Sequence, residues 1–520
     1  MSEKNTRRTT DGGPVMTDDL AKAGDPVVPG DPAVTGNPAA PGGPAAPDDR
    51  AGANAPGTPA SIFGEPAVVR RLERRSALSH VTSNGTVAAA VMVGAALLAL
   101  VVANTPVFEG IEWLLAQPLV VGAGPLTVSL SVEAFVNDFL MAVFFLLVGI
   151  ELKYETTVGQ LRRPRQAALP MLAAVGGVCA PALIYLAFNL AAGDAGAPRG
   201  WAVPIATDIA FALGVVSLLG RRVSPETKVF FQTLAIADDI LAIVVIALFY
   251  GQAPDPAWCA AALVCTLVLL ALNRSRVYSV APYVVVGLVL WACLYKSGIH
   301  ATLAGVILAF ALPSRSDVRL SELGGWLSRR AHDLDDTYDD AHHVLGQHDF
   351  TEGAWRVERV MHHVTPPLER MERYVSVFVN FLVLPIFAFV NAELHLVGEN
   401  FGAILTSPVA HGVYLGAVLG KPIGIILVTW LLVRLGFARL PRGMDWAQVV
   451  TVGLMGGVGF TMSILITGLG FSDPANAVAA KCAILLASVS SAVLGTVFAR
   501  LAIPGPSRRP GGSRPGQGVS

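Results

Sequence analysis

Long apolar runs separated by short polar turns dominate the chain from about residue 85 to residue 502. A hydrocarbon core ~30 Å thick needs about 20 helical residues. Twelve runs approach or exceed that length, although 201–219 and 299–312 are short for a full crossing. The runs are 85–104, 131–152, 167–191, 201–219, 229–250, 257–272, 279–296, 299–312, 374–392, 411–434, 447–468 and 476–502. This pattern predicts an all-α polytopic membrane protein with about twelve transmembrane helices.

Composition supports the membrane interpretation and excludes several other classes. Charged residues make up 14% of the 520-residue chain, against roughly 25% in soluble proteins, and hydrophobic residues make up 53%. The net charge of -1 offers no basic surface to nucleic acid. The five cysteines lie in apolar runs without CxxC spacing, which excludes a disulfide framework or a structural zinc site. No enzyme motif stands out, and no cofactor is expected.

The two ends of the chain and the loop charges predict the topology. Residues 1–82 are rich in Pro, Gly and Ala without apolar periodicity, and 503–520 are similar, so both are expected to be disordered tails. No apolar segment typical of a signal peptide lies near Met1. Basic residues precede the first run at 70–75 and then occupy alternate loops. By the positive-inside rule, both termini are predicted to be cytoplasmic.

Two segments interrupt the apolar pattern. The sequence PLVVGAGPLTVSL at about 118–130 holds two β-prone runs around a Gly-rich turn, which predicts a hairpin on the outer face, with an irregular loop as the alternative. The segment 314–373 separates the first part of the body, 83–313, from the second, 374–502. It contains DLDDTYDD and six histidines. We expect a solvated, partly disordered cytoplasmic loop, with a metal-binding or pH-sensing role as the alternative.

Adjacent carboxylates in the middle of the fifth run are the strongest functional signal. An ionisable side chain at the bilayer centre costs at least ~2.5–3.5 kcal/mol, so each one needs a physical reason. Asp238 and Asp239 lie about nine residues from either end of their run, and no arginine occurs at that depth. Successive helical residues point about 100° apart. The two carboxylates therefore share one depth and face different neighbours.

Two runs carry signs of a broken helix. The fourth contains Pro204, Thr207 and Asp208. Proline removes a backbone hydrogen-bond donor, and the two polar side chains can bond to the backbone groups that the break leaves free. A simple capping role for Thr207 or Asp208 at a half-helix is the alternative. The eleventh contains GLMGGVGFTMS, whose glycines permit unwinding, with close helix packing as the alternative. Both breaks occupy corresponding places in two three-helix units. Such paired interruptions are typical of inverted-repeat transporters.

A lysine in the tenth run supplies the counter-charge. Lys421 lies near the centre of that run, so a side chain that only extends to the membrane surface is the less favoured alternative. Opposed half-helices bring like dipole ends together. We expect Asp208 to neutralise the two positive ends and Lys421 the two negative ends. Four glycines at four-residue spacing also predict a smooth ridge for another helix: Gly412, Gly416, Gly420 and Gly424.

These features favour an antiporter. Burial favours the protonated form of a carboxylic acid, whereas a bound cation favours its ionised form. Protons and a hard cation such as sodium would therefore compete for Asp238 and Asp239. Sodium-coupled symport of an organic anion is the main alternative, although the runs hold few polar residues for such a substrate. A passive cation channel or a non-transporting membrane sensor is a third interpretation.

The chain also resembles the NhaA type of bacterial sodium/proton antiporter, a family from which the inverted-repeat architecture is itself known. The resemblance covers nearly all of 84–502 and is carried by NDFLMAVFFLLVGIELKYE, ATDIAFALG, AIADDILAIVVIALFY, KSGIHATLAGVI, LPIFAFVNA, GKPIGI and GGVGFTMSI. It implies electrogenic export of Na⁺, or Li⁺, in exchange for about two protons. It further implies a multi-pass protein of the bacterial plasma membrane, dimerised through the hairpin.

The resemblance also implies roles for individual residues. Asp238 and Asp239 would bind the cation and protons, with Thr207, Asp208 and Lys421 at the helix crossing. The family pattern places Asp138 and Glu151 in the cytoplasmic funnel. It places Glu155, His300 and Glu372 near the pH-responsive region. This chain departs from the pattern at SVFVNF, where many relatives carry a His-Pro-aromatic step, and also in its tail and insertion. The resemblance therefore implies no pH activation profile for this chain.

Overall fold

The computed structural model describes residues 85–122, 127–162, 164–251, 253–394 and 401–503. The predicted tails lie outside these described residues, apart from Ile503. Within them the first part of the chain forms α1 (Gly85–Ala103), α2 (Phe108–Leu115), α3 (Val132–Thr157), α4 (Pro164–Ala191), α5 (Ile209–Leu218), α6 (Pro225–Phe249), α7 (Pro256–Arg274), α8 (Ala281–Ser297) and α9 (Leu303–Ala311). The remainder forms α10 (Leu320–Thr337), α11 (His348–Val364), α12 (Pro367–Asn391), α13 (Phe401–Thr406), α14 (Pro408–Arg434), α15 (Trp446–Gly456), α16 (Phe460–Gly470) and α17 (Pro474–Ala502).

Irregular helical turns punctuate this order. Short 3₁₀ turns occur at Gln160–Arg162, Gly193–Ala195, Pro198–Ile205, Gly220–Arg222 and Val344–Gly346. Wider π turns interrupt α3, α12 and α14 at Phe135–Leu140, Val379–Val383 and Gly416–Gly420. A π turn inserts one residue into the helical ladder and is frequently found at functional sites.

The helices confirm the predicted membrane fold. Among the described residues, nine stretches are long and apolar enough to cross a membrane, or ten if α15 and α16, bent by 43°, form one span. The two remaining predicted spans correspond to α8, with 17 residues, and α9, with 9 residues. Each of the twelve apolar runs therefore corresponds to a helix or a broken helix. Helices α8 and α9 are shorter than a full crossing requires.

Three membrane helices begin with the same local device, a capping side chain followed by proline. The Ser224 hydroxyl accepts a hydrogen bond from the backbone N–H of Thr227 at 3.2 Å, just before Pro225. Asp255 and Asp473 cap α7 and α17 in the same way. The side-chain oxygen satisfies a backbone donor that the first helical turn leaves free, and proline at the first position loses no hydrogen bond.

The predicted hairpin is present. Strand β1 (Pro118–Val121) pairs antiparallel with β2 (Val128–Ser131), and Pro118 lies opposite Ser131. Ser131 also caps the start of α3, because its hydroxyl accepts from the N–H of Ala134 at 3.1 Å. The turn residues 123–126 lie outside the described residues. The hairpin is thus joined directly to the first turn of a membrane helix.

The expectation of a partly disordered loop at 314–373 is wrong for most of that segment. It contains α10 and α11, which pack on each other as a helical hairpin, and α12 begins at Pro367, seven residues before the predicted boundary of 374. No residue of α10 or α11 is buried. Both helices carry an apolar stripe within a mostly charged sequence, and that stripe is too sparse to be recognised as a membrane run.

The glycine ridge of α14 packs against α4, as predicted. A Cβ atom on Gly424 would lie 2.0 Å from the carbonyl oxygen of Gly176, and one on Gly420 would lie 2.8 Å from the Cα of Pro181. Only glycine permits this separation, because any side chain would overlap the opposing backbone. The close approach brings Lys421, which lies within the ridge, toward the centre of the body.

Contacts between loops define two ends of the helical body. At the end that carries β1 and β2, the Asn104 side chain donates to the carbonyl of Leu394 at 3.0 Å. At the opposite end, which carries α10 and α11, the N–H of Leu368 donates to the carbonyl of Pro313 at 3.2 Å. We call these the hairpin end and the insertion end. Helix α3 runs from the first to the second.

Candidate ion-binding site

Two stretches of non-helical backbone cross inside the helical body. The first, 206–208, lies between the turn Pro198–Ile205 and α5, and the second, 457–459, lies between α15 and α16. The N–H of Asp208 donates to the carbonyl of Val458 at 2.7 Å. A Cβ on Gly459 would lie 2.5 Å from the carbonyl oxygen of Ala206, so the crossing requires glycine. Both predicted helix breaks are therefore present.

Asp208 joins the amino ends of the two half-helices. Its Oδ1 accepts from the N–H of Phe211 at 3.0 Å in α5. Its Oδ2 accepts from the N–H of Thr461 at 3.2 Å and from the Thr461 hydroxyl at 2.7 Å, at the start of α16. The residue is 3% exposed. One carboxylate thus faces the positive ends of both helices, as expected from their dipoles.

Lys421 and Thr207 hold Asp238 on the other side of the crossing. The Lys421 ammonium donates to Asp238 Oδ2 at 2.6 Å and also contacts the carbonyl oxygen of Ile205. The Thr207 hydroxyl lies 2.7 Å from the same Asp238 oxygen and 3.1 Å from the carbonyl oxygen of Gly456. Lys421 thus contacts the end of the turn Pro198–Ile205 directly, and the Thr207 hydroxyl donates to the carbonyl of Gly456 at the end of α15. The expectation that Lys421 compensates both negative helix ends stays a prediction.

Each of the adjacent aspartates keeps one carboxylate oxygen unpartnered. Asp238 and Asp239 are both 1% exposed. Among the described residues, Asp238 Oδ1 and Asp239 Oδ1 are buried without a hydrogen-bond partner. A buried polar atom without a partner is costly, and a bare carboxylate oxygen accepts either a proton or a hard cation. Asp238 Oδ1 and Asp239 Oδ1 are therefore suited to bind a proton or a cation.

A cavity leads from Asp239 toward the insertion end. It lies between α1, α3, α5, α6, α12 and α16, and Glu151 of α3 shares its wall with Asp239. Glu155 and Glu372 interact electrostatically with Glu151. Glu155 follows Glu151 by one helical turn, and Glu372 lies near the start of α12. Glu151 in the cavity wall therefore belongs to a cluster of three acidic residues. Such a cluster attracts cations.

The structure separates residues that the sequence interpretation grouped together. Asp138 and His300 line a second cavity at the hairpin end, with Glu133 among its walls. Asp138 precedes Glu151 by thirteen residues (151 minus 138) in the same helix, which corresponds to ~20 Å along the axis. The prediction that both lie in one funnel is therefore wrong.

The structure also places His300 apart from Glu155 and Glu372, and the shared role of the three residues in the pH response stays a prediction. His300 lies at the hairpin end, next to the start of α9, whereas the two glutamates lie at the insertion end. Hydrophobic periodicity places a residue on a helix. The periodicity does not predict which cavity, at which end of the helical body, a polar residue of that helix lines.

Sequence reasoning missed three contributors to the site. Thr461, which follows the glycines of the eleventh run, donates to Asp208. Gln232 and Asn380 belong to the few polar residues of the apolar runs, and both line the cavity that contains Asp239. Their rarity in apolar runs was the available signal. Which cavity they face depends on helix packing.

The fold and the crossing together define a polytopic membrane protein of the inverted-repeat transporter class. Residues 79–499 match the family described as Na+/H+ antiporter 1. A protein named Na(+)/H(+) antiporter NhaA from Rhodospirillum rubrum is 41% identical over 425 residues, which are 81% of this chain and 96% of that protein. Antiporters of the same name from Caulobacter vibrioides and Oleidesulfovibrio alaskensis are 41% and 40% identical, over 84% and 80% of this chain and 93% and 91% of theirs. The chain belongs to this Na⁺/H⁺ antiporter family, and it is a multi-pass protein of the plasma membrane.

Replacement of Lys421 by alanine should destabilise the protein by ~3–5 kcal/mol, because the variant leaves Asp238 buried beside an empty space with its charge uncompensated. Removing the charge of Asp238 as well should recover part of this loss, so Asp238→Asn/Lys421→Ala should melt above Lys421→Ala. Thermal unfolding in detergent measures both. A single alanine variant that melts with the wild type would exclude a stabilising role for Lys421.

Proposed function

We propose that this chain exchanges Na⁺, or Li⁺, for protons at Asp238 and Asp239. The observation that carries the proposal is the pair of adjacent buried carboxylates, each with an unpartnered oxygen, beside Lys421 and at the crossing of two broken helices. The relatives bear the name of Na⁺/H⁺ antiporters. That name gives no support to the alternative of organic-anion symport.

Competition for one site suffices for exchange. A proton on Asp239 removes the negative charge that a cation needs, and a bound cation favours the ionised carboxylate. The site therefore holds either substrate, but not both. Exchange also requires that the site open to one end at a time. The cavities at the hairpin end and at the insertion end are the two candidate routes, and the broken helices between them supply backbone that can shift.

The charged residues around the site have proposed supporting roles. Asp208 and Thr207 hold the crossing together, and Lys421 balances the charge of Asp238. Glu151 concentrates cations at the insertion end, with Glu155 and Glu372 as candidates for the pH response. Asp138 and His300 would act in the cavity at the hairpin end. We propose a transporter without enzymatic activity that needs no cofactor beyond its transported ions.

The exchange is proposed to be electrogenic. Two carboxylates that both ionise for one monovalent cation release two protons per Na⁺. Alternatively, Lys421 supplies one of the two protons when the cation displaces it from Asp238. Either route moves one net positive charge per cycle, inward as Na⁺ leaves. Sodium export would then serve both sodium and pH homeostasis.

The orientation and assembly are also proposals. The basic loops lie at the insertion end, so that end and both termini would face the cytoplasm. The hairpin would then lie on the outer face. A two-stranded ribbon is marginal by itself. We propose that the hairpins of two copies pair with each other and form a homodimer.

Asp239→Asn should abolish exchange while the protein still inserts, because the amide can neither release a proton nor offer a negative charge to Na⁺. Sodium-induced dequenching of a pH-sensitive dye in proteoliposomes measures this. Asp317→Asn is the matched control, since Asp317 is partly exposed beside Arg276 at the insertion end and should transport normally. Wild-type rates in Asp239→Asn would refute the site.

An inside-negative voltage should drive Na⁺ out even without a pH gradient. Each net charge moved couples to ~2.3 kcal/mol per 100 mV of membrane potential. Proteoliposomes clamped with potassium and valinomycin at equal pH on both sides provide the measurement. Sodium flux that does not respond to the imposed voltage would mean electroneutral, one-for-one exchange.

A cysteine at Ser129, which is exposed on β2, should test orientation and assembly together in a variant without the five native cysteines. An impermeant maleimide should label it in intact cells, and mild oxidation should cross-link two copies. A cysteine at Ser328 of α10, exposed at the insertion end, should be labelled only after permeabilisation. The opposite labelling pattern would invert the topology, and a lack of cross-links at any oxidant concentration would count against the dimer.

A further inference from the structure

Two neutral amides line the cavity between the acidic cluster and Asp239. Gln232 belongs to α6 and Asn380 to α12, so they come from different helices and meet the same space. Asp239 and Glu151 line that space as well. Polar amides are costly at membrane depth unless they have partners. Their presence beside the route to the site calls for a physical reason.

Gln232 lies on the face of α6 that carries Asp239. It precedes Asp239 by seven residues, two helical turns, which places it on nearly the same face and ~10 Å closer to the insertion end. Its sequence neighbours Phe231 and Thr233 are each 1% exposed, whereas Gln232 itself is exposed. Gln232 also lines the cavity, so its side chain meets the route toward the site.

Asn380 is held in the cavity wall by a π turn. It is the second residue of Val379–Val383, and both Val379 and Val383 are completely buried. The wider turn changes which side chains of α12 face inward. An apolar residue would suffice if the position served only to pack against neighbouring helices.

Other asparagines in the membrane helices have structural partners, which these two amides lack. Asn189 donates to the carbonyls of Tyr185 and Pro408, and Asn391 donates to Asn137 at 2.7 Å. Within the described part of the chain, neither Gln232 nor Asn380 has a hydrogen-bond partner from the protein. Their oxygens are free to meet a guest in the cavity.

We propose that Gln232 and Asn380 form a transit site for sodium, where their amide oxygens replace part of the hydration shell of the ion before it reaches Asp239. This inference rests on the proposed function. Hard cations prefer oxygen ligands, and carbonyl oxygens can replace water around an alkali ion. An amide oxygen binds the cation but carries no proton at neutral pH. The transit site therefore attracts Na⁺ without adding a competing proton site.

The double variant Gln232→Leu/Asn380→Leu should raise the KM for Na⁺ roughly tenfold with little change in kcat, because it removes binding that precedes the exchange step. The fold-change in KM should be the same at each pH, since no titrating group is lost. Each single variant should have a smaller effect. Dye-dequenching rates against Na⁺ concentration, measured in proteoliposomes at several pH values, provide all three quantities.

Gln232→Glu is the conservative test. It keeps an oxygen ligand but adds a proton site, so its KM for Na⁺ should equal or fall below that of the wild type at alkaline pH and rise steeply as the pH falls. Gln117→Leu is the matched control, because Gln117 is at the hairpin end and its amide donates to the carbonyl of Trp113 in the preceding helix α2. The KM of this variant for Na⁺ should not change.

The outcomes separate the transit site from the exchange itself. An unchanged KM in a well-inserted double leucine variant would overturn the transit site while leaving the antiporter intact. If that variant does not insert, Gln232→Glu decides, and a KM with the wild-type dependence on pH would overturn the proposal. A wild type that shows no sodium-dependent proton movement would instead refute the proposed function.

Discussion

The buried ion pair between Lys421 and Asp238 is the interaction on which the rest of this structure depends. Both side chains are almost fully enclosed, and their atoms lie 2.6 Å apart. An isolated charge in such a place would be prohibitively costly, so each group requires the other. The glycine ridge that flanks Lys421 also lets α14 approach α4 at backbone contact. Close helix packing and a buried charge therefore occur at the same place in α14.

The helix crossing gives its three buried aspartates different hydrogen-bond partners. Asp208 is committed to the amino ends of α5 and α16, and Asp238 to Lys421 and Thr207. Asp239 has neither kind of partner, although it is equally buried. It lies at the inner end of the cavity that Glu151 lines. The three carboxylates therefore differ in how much of their hydrogen-bonding capacity the protein itself uses.

The crossing also satisfies backbone groups that the broken helices leave without an intrahelical partner. Most backbone groups in a membrane helix are satisfied within the helix. At 206–208 and 457–459 they are instead satisfied by side chains and by each other, as in the bond from Asp208 to Val458. Such bonds can exchange partners without unwinding a helix. The flanking helices keep their own hydrogen bonds meanwhile.

The sequence alone determined the number and order of the apolar helices, both helix breaks, the hairpin, and the importance of Asp208, Asp238, Asp239 and Lys421. These follow from local physics, because a bilayer sets helix length and a charge at its centre is costly wherever the chain goes. Tertiary structure decided what depends on helix packing: that Asp138 and His300 serve the hairpin end, that Thr207 covers Gly456, and that Gln232 and Asn380 face one cavity. It also revealed the helices of the insertion, whose apolar stripe is weak against its charged residues. A residue's depth can be counted along one helix, but its neighbours belong to other helices.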